Sequence, residues 1–250
     1  MLLAKKYKFH ILVLLGLIIV NFAVFAINLN DFFVSDDFDW LSLTQNSDQP
    51  IWQYFTSNYY GEQGVGGSYR PMFNLVFSLN NGLFGLNPLP YHLTNLIFHI
   101  GVCFLVYLLV LQLFADYKEK NKIAVLAAVF FSILPNHAEA VVWIAAIGDP
   151  MASFFYLLGF YLYLLYRQKK SFVCLLVSLL SFILALLTKE IAVTLPLLIL
   201  VWELYEAITK NKFSLKNILF HHLGYWLILV LYFVIRYAAI GLIWGYYATE

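Results

Sequence analysis

Charge is scarce in this chain of 250 residues. Asp, Glu, Lys and Arg together make up only 12% of it, while 62% of its residues are apolar. The mean hydropathy is +0.79, a value that ordinary soluble domains do not reach. This composition excludes a soluble globular protein and predicts a polytopic membrane protein. Because the apolar stretches are long and continuous rather than alternating, they favour helices over a transmembrane barrel.

Cysteine is also rare, and phosphate-binding glycine loops and solenoid repeats are absent from the sequence. Cys103 and Cys174 are the two cysteines, and they lie in different apolar stretches without ligand-like neighbours. This pattern predicts packing residues rather than a disulfide or a metal site. The basic residues are spread over four loops instead of forming one patch, which argues against a nucleic-acid partner.

Seven apolar stretches are candidates for membrane-spanning helices, since the hydrocarbon core of about 30 Å needs about 20 apolar residues per helix. These stretches are 9–29, 91–114, 123–147, 150–166, 171–188, 191–207 and 221–245. The first is longer than the apolar part of a signal peptide, which favours an uncleaved anchor over a cleaved signal. The fold class is therefore an all-α polytopic membrane protein with about seven transmembrane helices.

The third stretch is irregular. Its uninterrupted part, from Ile123 to Leu134, spans roughly 18 Å as a helix, which is too short to cross the membrane. Pro135 is predicted to break or kink the helix, because proline has no backbone N–H and clashes with the preceding turn. Residues 138–147 then either complete the crossing or form a short helix at the outer surface.

The basic residues predict the orientation of the chain. Four alternate loops with three basic residues each hold 12 of the 15 Lys and Arg, at positions 5–8, 118–122, 167–170 and 210–216. By the positive-inside rule these loops and the N-terminus are cytoplasmic. The opposite side keeps only three basic residues, Arg70, Lys189 and Arg236, but many acidic ones.

The long segment 30–90 is predicted to form the first outer loop of a single transmembrane module, 1–250. It is too long for a simple connector, and loops of this length are usually functional. Its Trp and Tyr residues, and an apolar run that is too short to span, predict interfacial helices lying along the membrane. Asp36 and Asp37 lie at the entry to this loop, a few residues beyond the first span.

Polar residues also recur along the second span. His92, Asn95 and His99 are spaced by three and four residues, so they share one helical face. Lipid cannot solvate these side chains, and we therefore expect this face to point into the helix bundle.

Five groups of residues occur in the order found in a known family. They are Ser35-Asp36-Asp37, Tyr69-Arg70-Pro71, Leu86-Asn87-Pro88 with Tyr91–His99, Pro135–Ile144, and Lys189–Pro196. Together they resemble the N-terminal part of the GT-C superfamily of polyprenyl-phosphate-sugar-dependent glycosyltransferases. The resemblance is greatest to the tetratricopeptide-repeat-associated transmembrane O-mannosyltransferases and their bacterial relatives. One departure is the stretch Ala145–Gly148, where the family commonly has an arginine.

The resemblance implies an inverting membrane glycosyltransferase that acts in protein glycosylation. A sugar, with mannose favoured, would pass from a polyprenyl-phosphate donor to a hydroxyl of a protein, glycan or lipid acceptor. Such a reaction needs a base for the acceptor proton and cations for the departing phosphate. A periplasmic site in a bacterial inner membrane is favoured, with the endoplasmic reticulum membrane as the alternative. The other hypothesis for function is a non-catalytic lipid-linked-sugar binding protein or flippase component.

The expected site residues follow from these needs and from the resemblance. Asp36 is the expected catalytic base, with Asp37 supporting it. The expected donor-phosphate residues are Arg70, Lys189 and Arg236. The expected substrate-binding residues are His92, His137, Glu139, Trp143, Asp149 and Glu190. No cofactor is predicted with certainty, although Asp36, Asp37 and Glu139 could bind a divalent metal through oxygen, as in the oligosaccharyltransferase branch of the superfamily.

Overall fold

The computed structural model describes residues 2–45, 50–57, 67–209 and 215–243, and in these ranges the regular elements are all helices. Residues 46–49 and 58–66 of the predicted outer loop lie outside the described residues. The α-helices are α1 Leu2–Phe25, α2 Asp37–Gln45, α3 Pro71–Phe84, α4 Pro88–Leu113, α5 Lys120–Ile133, α6 Ala138–Val142, α7 Gly148–Lys169, α8 Phe172–Leu186, α9 Leu195–Thr209 and α10 Leu215–Ile240. Short 3₁₀ helices occupy Ala26–Asn28, Ile51–Phe55, Pro135–His137, Ile144–Ile147 and Glu190–Thr194.

The predicted all-α polytopic membrane fold is confirmed. Among the described residues, five helical segments are long and apolar enough to span a membrane: Tyr7–Asn28, Pro88–Leu113, Ile144–Lys169, Glu190–Thr209 and His222–Ile240. A sixth forms if α5 and the segment Pro135–Val142 are counted as one bent span. The remaining predicted span corresponds to α8, which has 15 residues. At 1.5 Å per residue α8 is about 22 Å long, which is shorter than the hydrocarbon core.

The break in the third stretch lies where the sequence predicts it. α5 ends at Ile133, and Leu134 has an extended ψ of 126°. This conformation is the one that a residue before proline prefers, because the Pro135 ring excludes the helical alternative. The chain resumes with a bend of 55° between α5 and the segment Pro135–Val142. The bend turns α6 and the 3₁₀ helix after it toward the start of α4.

The predicted outer loop contains two α-helices, α2 and α3. α3 begins at Pro71, a position where proline is favoured because the first N–H of a helix is unbonded in any case. The 14 residues of α3 are too few to span a membrane. That these helices lie along the membrane surface stays a prediction.

The described chain divides into two compact units. Unit 1 comprises Met1–Gln45 and Phe77–Leu157, and unit 2 comprises Asn46–Val76 and Leu158–Glu250. The interpretation of residues 1–250 as one functional module stays a prediction, because compact units and functional modules need not coincide. Each unit is described by itself below.

In unit 1, α4 presents a polar face to the interior. His92, Asn95 and His99 are each 4% exposed or less, as the spacing predicts. Farther along the same face, Cys103 and Tyr107 are fully buried. α1 and α5 pack on this face. His10 Nδ1 of α1 lies 2.8 Å from the Tyr107 hydroxyl, and Asn21 of α1 donates to the Ser132 hydroxyl of α5 at 3.2 Å. The polar groups are therefore bonded between helices rather than exposed to lipid.

In unit 2, buried ionic and hydroxyl groups join α7, α8, α9 and α10. Arg167 pairs with Glu203, which also accepts a hydrogen bond from the Tyr163 hydroxyl. The Ser178 and Tyr225 hydroxyls lie 2.6 Å apart. Such pairs fix how helices pack in a setting where apolar contacts alone discriminate poorly.

Candidate functional site

Unit 1 contains a cavity of about 650 Å³, within the range of about 300–1,000 Å³ typical of small-ligand sites. The connector after α1, the start of α2, the first turn of α4 and the end of α6 form its walls. The lining residues are Asn28, Asp31, Phe32, Val34, Asp37, His92, Ala138, Glu139, Val142 and Trp143. Of the residues predicted from sequence, Asp37, His92, Glu139 and Trp143 meet here.

A strained backbone turn places the acidic pair. Ser35 has a φ of +50°, in the left-handed region that non-glycine residues rarely occupy. This turn directs the chain into α2, and the Asp36 carbonyl accepts the Trp40 N–H at 3.2 Å. The Asp36 side chain is exposed, and its Oδ1 accepts the Ser35 hydroxyl at 3.0 Å. Strain of this kind is often found at functional sites.

Asp37 is buried and anchors two segments of unit 1. Its Oδ2 accepts the Val34 N–H at 2.8 Å, and its Oδ1 accepts the Ala145 N–H at 2.7 Å. Burial raises the pKa of the Asp37 carboxyl above its usual value, and the two backbone hydrogen bonds partly oppose this rise. Asp37 therefore joins the α1–α2 connector to the 3₁₀ helix Ile144–Ile147.

His92 forms a buried wall of the cavity and is 4% exposed. Its Nε2 lies 2.9 Å from the carbonyl oxygen of Asp31. Since a carbonyl oxygen can only accept, Nε2 carries the proton, and in the neutral ring Nδ1 is left as an acceptor. Nδ1 has no hydrogen-bond partner among the residues that the structure describes.

α6 and the residue that follows it place Glu139 and Trp143 at the cavity. The backbone N–H of Trp143 donates to the Glu139 carbonyl at 3.0 Å, and the backbone carbonyl of Trp143 accepts from Asn95 Nδ2 at 2.8 Å. Glu139 is exposed, whereas Trp143 is half-buried. The indole Nε1 of Trp143 finds no partner in the described part of the chain. An aromatic ring beside carboxylates is an arrangement that can bind a sugar ring and its hydroxyls.

Two further predicted residues of unit 1 are not among the lining residues. The His137 ring lies 5.5 Å from the His99 ring and 4.3 Å from the Phe131 ring, measured between centroids. Asp149 is half-buried in the first turn of α7. Asp36 immediately precedes the lining residue Asp37 but does not itself line the cavity.

Sequence reasoning missed the other six lining residues, which are Asn28, Asp31, Phe32, Val34, Ala138 and Val142. The first four belong to the connector between α1 and α2, and the last two lie in α6. A signal was present, since Phe32 and Val34 are apolar residues in a segment of acidic and polar character. Without a structure, however, nothing distinguished a cavity wall from a membrane-facing connector.

Unit 2 brings Arg70, Arg236 and Glu190 together. Arg70 Nε lies 2.9 Å from Glu190 Oε2, and Arg236 Nη1 lies 3.3 Å from Glu190 Oε1. Arg236 Nη2 also donates to the Gly67 carbonyl, and the Tyr69 N–H donates to Glu190 Oε1 at 3.2 Å. Two arginines thus share one carboxylate, and guanidinium groups held in this way can also bond to the oxygens of an anion.

Lys189, the third predicted phosphate residue, also lies in unit 2. It has extended backbone (φ −155°, ψ 140°) and directly precedes the 3₁₀ helix Glu190–Thr194. Its side chain is half-buried. The neighbouring Glu190 links this part of the chain to both arginines.

No group of three or more His, Cys, Asp or Glu is arranged to hold a metal ion within the described ranges. Of the three candidate ligands, Asp37 has a backbone N–H on each carboxylate oxygen. Each oxygen of this carboxylate keeps a further lone pair, so Asp37 can accept another hydrogen bond while it anchors the backbone.

The fold and the two sets of residues define a class: a helical integral membrane protein with an acidic, aromatic-lined cavity and a cluster in which two arginines share one glutamate. The chain is 33% identical over 189 residues to protein O-mannosyl-transferase TMTC3 of Homo sapiens, which covers 70% of this chain and 20% of that protein. It is 30% identical over 194 residues to protein O-mannosyl-transferase Tmtc1 of Drosophila melanogaster, covering 74% and 22%. It is 30% identical over 180 residues to protein O-mannosyl-transferase TMTC1 of Homo sapiens, covering 65% and 20%.

These comparisons confirm the resemblance that the motifs indicate: the chain is a relative of the protein O-mannosyl-transferases. It spans about a fifth of the length of the curated relatives it matches. No protein family profile matches the chain.

The anchoring role of Asp37 predicts a loss of stability when its carboxylate is removed. Replacing Asp37 with Ala removes the acceptor of the partly buried hydrogen bonds from the Val34 and Ala145 N–H groups, at a cost of up to about 1–3 kcal/mol each where water does not take its place. We expect the melting temperature of the detergent-solubilised chain, followed by thiol-reactive dye or tryptophan fluorescence, to fall by several degrees. Replacing the exposed Asp39 of the same helix with Ala is the matched control, and equal melting temperatures for both variants would contradict the anchoring role.

Proposed function

We propose that this chain carries the catalytic acids of an inverting membrane glycosyltransferase. The enzyme moves a sugar, with mannose favoured, from a polyprenyl-phosphate donor to a hydroxyl of a protein acceptor. The observation that carries the proposal is the acidic pair at the cavity of unit 1, in which one carboxylate is bonded to the backbone and the other is exposed. The relatives are named protein O-mannosyl-transferases, which supports mannose as the sugar and protein as the acceptor.

The two acids of the pair have different hydrogen-bonding capacity, which supports different roles. Both oxygens of Asp37 already accept a backbone N–H. Asp36 accepts only the Ser35 hydroxyl among the described residues and stays exposed. The exposed Asp36 carboxylate is therefore open to an acceptor hydroxyl and acts as the base, while Asp37 positions the turn that holds it.

The proposed reaction is a single displacement. The acceptor hydroxyl gives its proton to Asp36, and its oxygen bonds to the anomeric carbon as the bond from that carbon to the phosphate oxygen breaks. The electron pair of the broken bond leaves with the polyprenyl phosphate, and the anomeric configuration is inverted. General-base catalysis of this kind typically contributes about 10²–10⁴-fold in rate.

The side chains around the cavity supply substrate contacts. Trp143 offers an aromatic surface to a sugar ring, and the Glu139 and Asp37 carboxylates and His92 Nδ1 are acceptors for hydroxyl groups. His137 and Asp149 lie in the same unit without lining the cavity, and their substrate contacts stay predictions.

The cations of unit 2 are proposed to stabilise the departing phosphate. Arg70 and Arg236 are both held by Glu190, which keeps their guanidinium groups oriented in the absence of a phosphate. Arginine is suited to this task because its planar group bonds phosphate oxygens in pairs. Lys189 is proposed to add a further positive charge.

The chain is an integral membrane protein, and we propose in which membrane it lies and on which face the reaction takes place. The positive-inside pattern supports cytoplasmic basic loops and hence an acid pair on the opposite face. We favour a bacterial inner membrane with the reaction on its periplasmic side, and the endoplasmic reticulum membrane with a lumenal site is the alternative.

Mass spectrometry of reaction products tests this function. Membranes containing the chain are supplied with isotope-labelled polyprenyl-phosphate mannose and a threonine-containing peptide, and membranes without the chain are the control. We expect one labelled hexose on the peptide, dependent on the chain. Binding of the donor without appearance of a labelled product would instead support a lipid-linked-sugar carrier.

A further inference from the structure

The cavity of unit 1 has a strongly one-sided charge. Asp31, Asp37 and Glu139 are among its ten lining residues, and none of the ten is a lysine or arginine. A phosphate brought to this cavity would meet three carboxyl groups, with no lysine or arginine and only His92 as a basic side chain among the lining residues, which is unfavourable. A neutral or cationic group would be attracted. The charge therefore suits the acceptor substrate rather than the phosphate of the donor.

An independent feature also indicates a hydroxyl ligand. His92 is 4% exposed, lines the cavity and has an Nδ1 without a hydrogen-bond partner among the described residues. Because Nε2 is committed to the Asp31 carbonyl, the neutral ring can only accept at Nδ1. An unpartnered buried acceptor is costly, and a ligand hydroxyl would satisfy it.

The wall formed by the α1–α2 connector is apolar and exposed. The side chains of Phe32 and Val34 line the cavity and are 61% and 55% exposed. Aliphatic parts of a peptide, such as the long stems of lysine and arginine, can pack on such a surface while their charges remain near the carboxylates.

From these features we infer that the cavity is the acceptor subsite and that it selects peptide segments whose hydroxyl residue is flanked by lysine or arginine over those flanked by aspartate or glutamate. The inference rests on the proposed function and adds the charge class of the acceptor to it. Asp31 and Glu139 are the selecting charges, because both line the cavity and are exposed. His92 Nδ1 accepts a hydrogen bond from a second hydroxyl or an N–H of the bound segment, so that the reacting hydroxyl keeps its proton for Asp36.

Charge selection of this type depends on ionic strength. Exposed charges separated by more than about 10 Å are largely screened at 0.1 M salt and interact well at lower salt. Complementary charge also raises the rate of encounter. We expect about a tenfold difference in affinity between lysine-flanked and glutamate-flanked peptides at low salt, which shrinks toward equality at high salt.

Direct binding tests the inference without requiring sugar transfer. The full chain in nanodiscs of neutral phosphatidylcholine is titrated with fluorescent peptides that contain one threonine flanked by two lysines, two glutamines or two glutamates. The titrations are done at about 20 mM and about 500 mM NaCl, below and above the salt concentration of about 0.1 M at which exposed charges become screened. Fluorescence anisotropy gives the dissociation constants. The expected order of affinity is lysine, then glutamine, then glutamate, and replacing the threonine with valine weakens binding.

Matched variants locate the effect. The double variant Asp31→Asn with Glu139→Gln is expected to bring the three dissociation constants together, whereas Asp116→Asn, an exposed acid in the α4–α5 connector, leaves the order unchanged. Equal affinities in the parent chain, or a charge preference that persists in the double variant, would overturn the inference. Tight binding of a neutral oligosaccharide with no binding of any peptide would also overturn it and would indicate a glycan acceptor.

The acceptor inference and the proposed enzymatic function can fail independently in these experiments. Ordered peptide binding without transfer of labelled sugar would contradict the enzymatic proposal alone. Transfer to all peptides with equal efficiency would contradict the acceptor inference alone.

Discussion

Replacing Asp36 with Asn is expected to lower the rate of sugar transfer by about 10²–10⁴-fold, the usual contribution of a general base. The amide is nearly the same size as the carboxylate but cannot accept the proton of the acceptor hydroxyl. Because Asp36 is exposed and bonded only to Ser35 in the described structure, the loss of its charge should not unfold unit 1. The initial rate of labelled-sugar transfer at saturating donor and acceptor measures the effect.

The matched control is Asp39→Asn, which removes an exposed carboxylate from the same helix and should retain most of the transfer rate. Unchanged melting temperature and donor binding in Asp36→Asn would show that the loss is catalytic. Full activity of this variant would refute the assignment of Asp36 as the base. A carrier or flippase component predicts a different pattern, in which Asp36→Asn retains function and Arg70→Ala damages it.

Replacing Arg236 with Gln is expected to weaken binding of polyprenyl phosphate by about tenfold or more. Hydrogen bonds to charged groups contribute about 1.5–3 kcal/mol, and each 1.4 kcal/mol corresponds to a factor of ten. The variant also removes one of the two guanidinium groups that pair with Glu190. Titration of nanodisc-embedded chain with fluorescent decaprenyl phosphate measures the dissociation constant.

Two control variants distinguish a loss of binding that is caused by the lost charge from one that is caused by misfolding. Arg236→Lys keeps the positive charge and should recover part of the affinity. Glu190→Gln removes the carboxylate that competes with phosphate for the two arginines, and it should strengthen binding rather than weaken it. If Arg236→Gln and Glu190→Gln weaken binding equally, the cluster acts through packing and not as a phosphate site.

The helical fold could be predicted from sequence because membrane insertion imposes strong and local constraints. Long apolar runs mark the helices, and Pro135 marks the break after α5 through its own backbone chemistry. The buried face of α4 could also be predicted, since the periodicity of His92, Asn95 and His99 is local and lipid cannot solvate such side chains.

The length of individual spans was harder to predict. α8 has an apolar composition like that of the other spans, but it ends at Leu186 after 15 residues. The positive-inside pattern requires two crossings, α8 and α9, between the basic residues at 167–170 and those at 210–216, because both groups are predicted to be cytoplasmic. Composition alone does not give the end of a helix, because the end depends on the turn that follows.

The contacts within the candidate sites could not be predicted, because they join distant parts of the chain. Asp37 bonds Ala145 across 108 positions, and Arg70 pairs with Glu190 across 120. The acceptor in the first contact is a side chain, but the donor is a backbone N–H and leaves no trace in the sequence. Sequence motifs could therefore identify Asp37, Arg70 and Glu190 as candidates without indicating their partners.

The different environments of Asp36 and Asp37 likewise needed the structure. Two adjacent acids are chemically the same in the sequence, and only the turn at Ser35 exposes one and buries the other. The resemblance to the protein O-mannosyl-transferases gave an expectation for Asp36, and the hydrogen bonds of Asp37 give that expectation a physical basis.

The anomeric configuration of the product tests the central proposal most directly. The chain is incubated with a polyprenyl-phosphate sugar of known configuration and a threonine peptide, and the linkage in the purified glycopeptide is determined by nuclear magnetic resonance. A single displacement assisted by Asp36 predicts a labelled product with the configuration opposite to that of the donor. A product with retained configuration, or the absence of product from a chain that binds both substrates, would contradict the account.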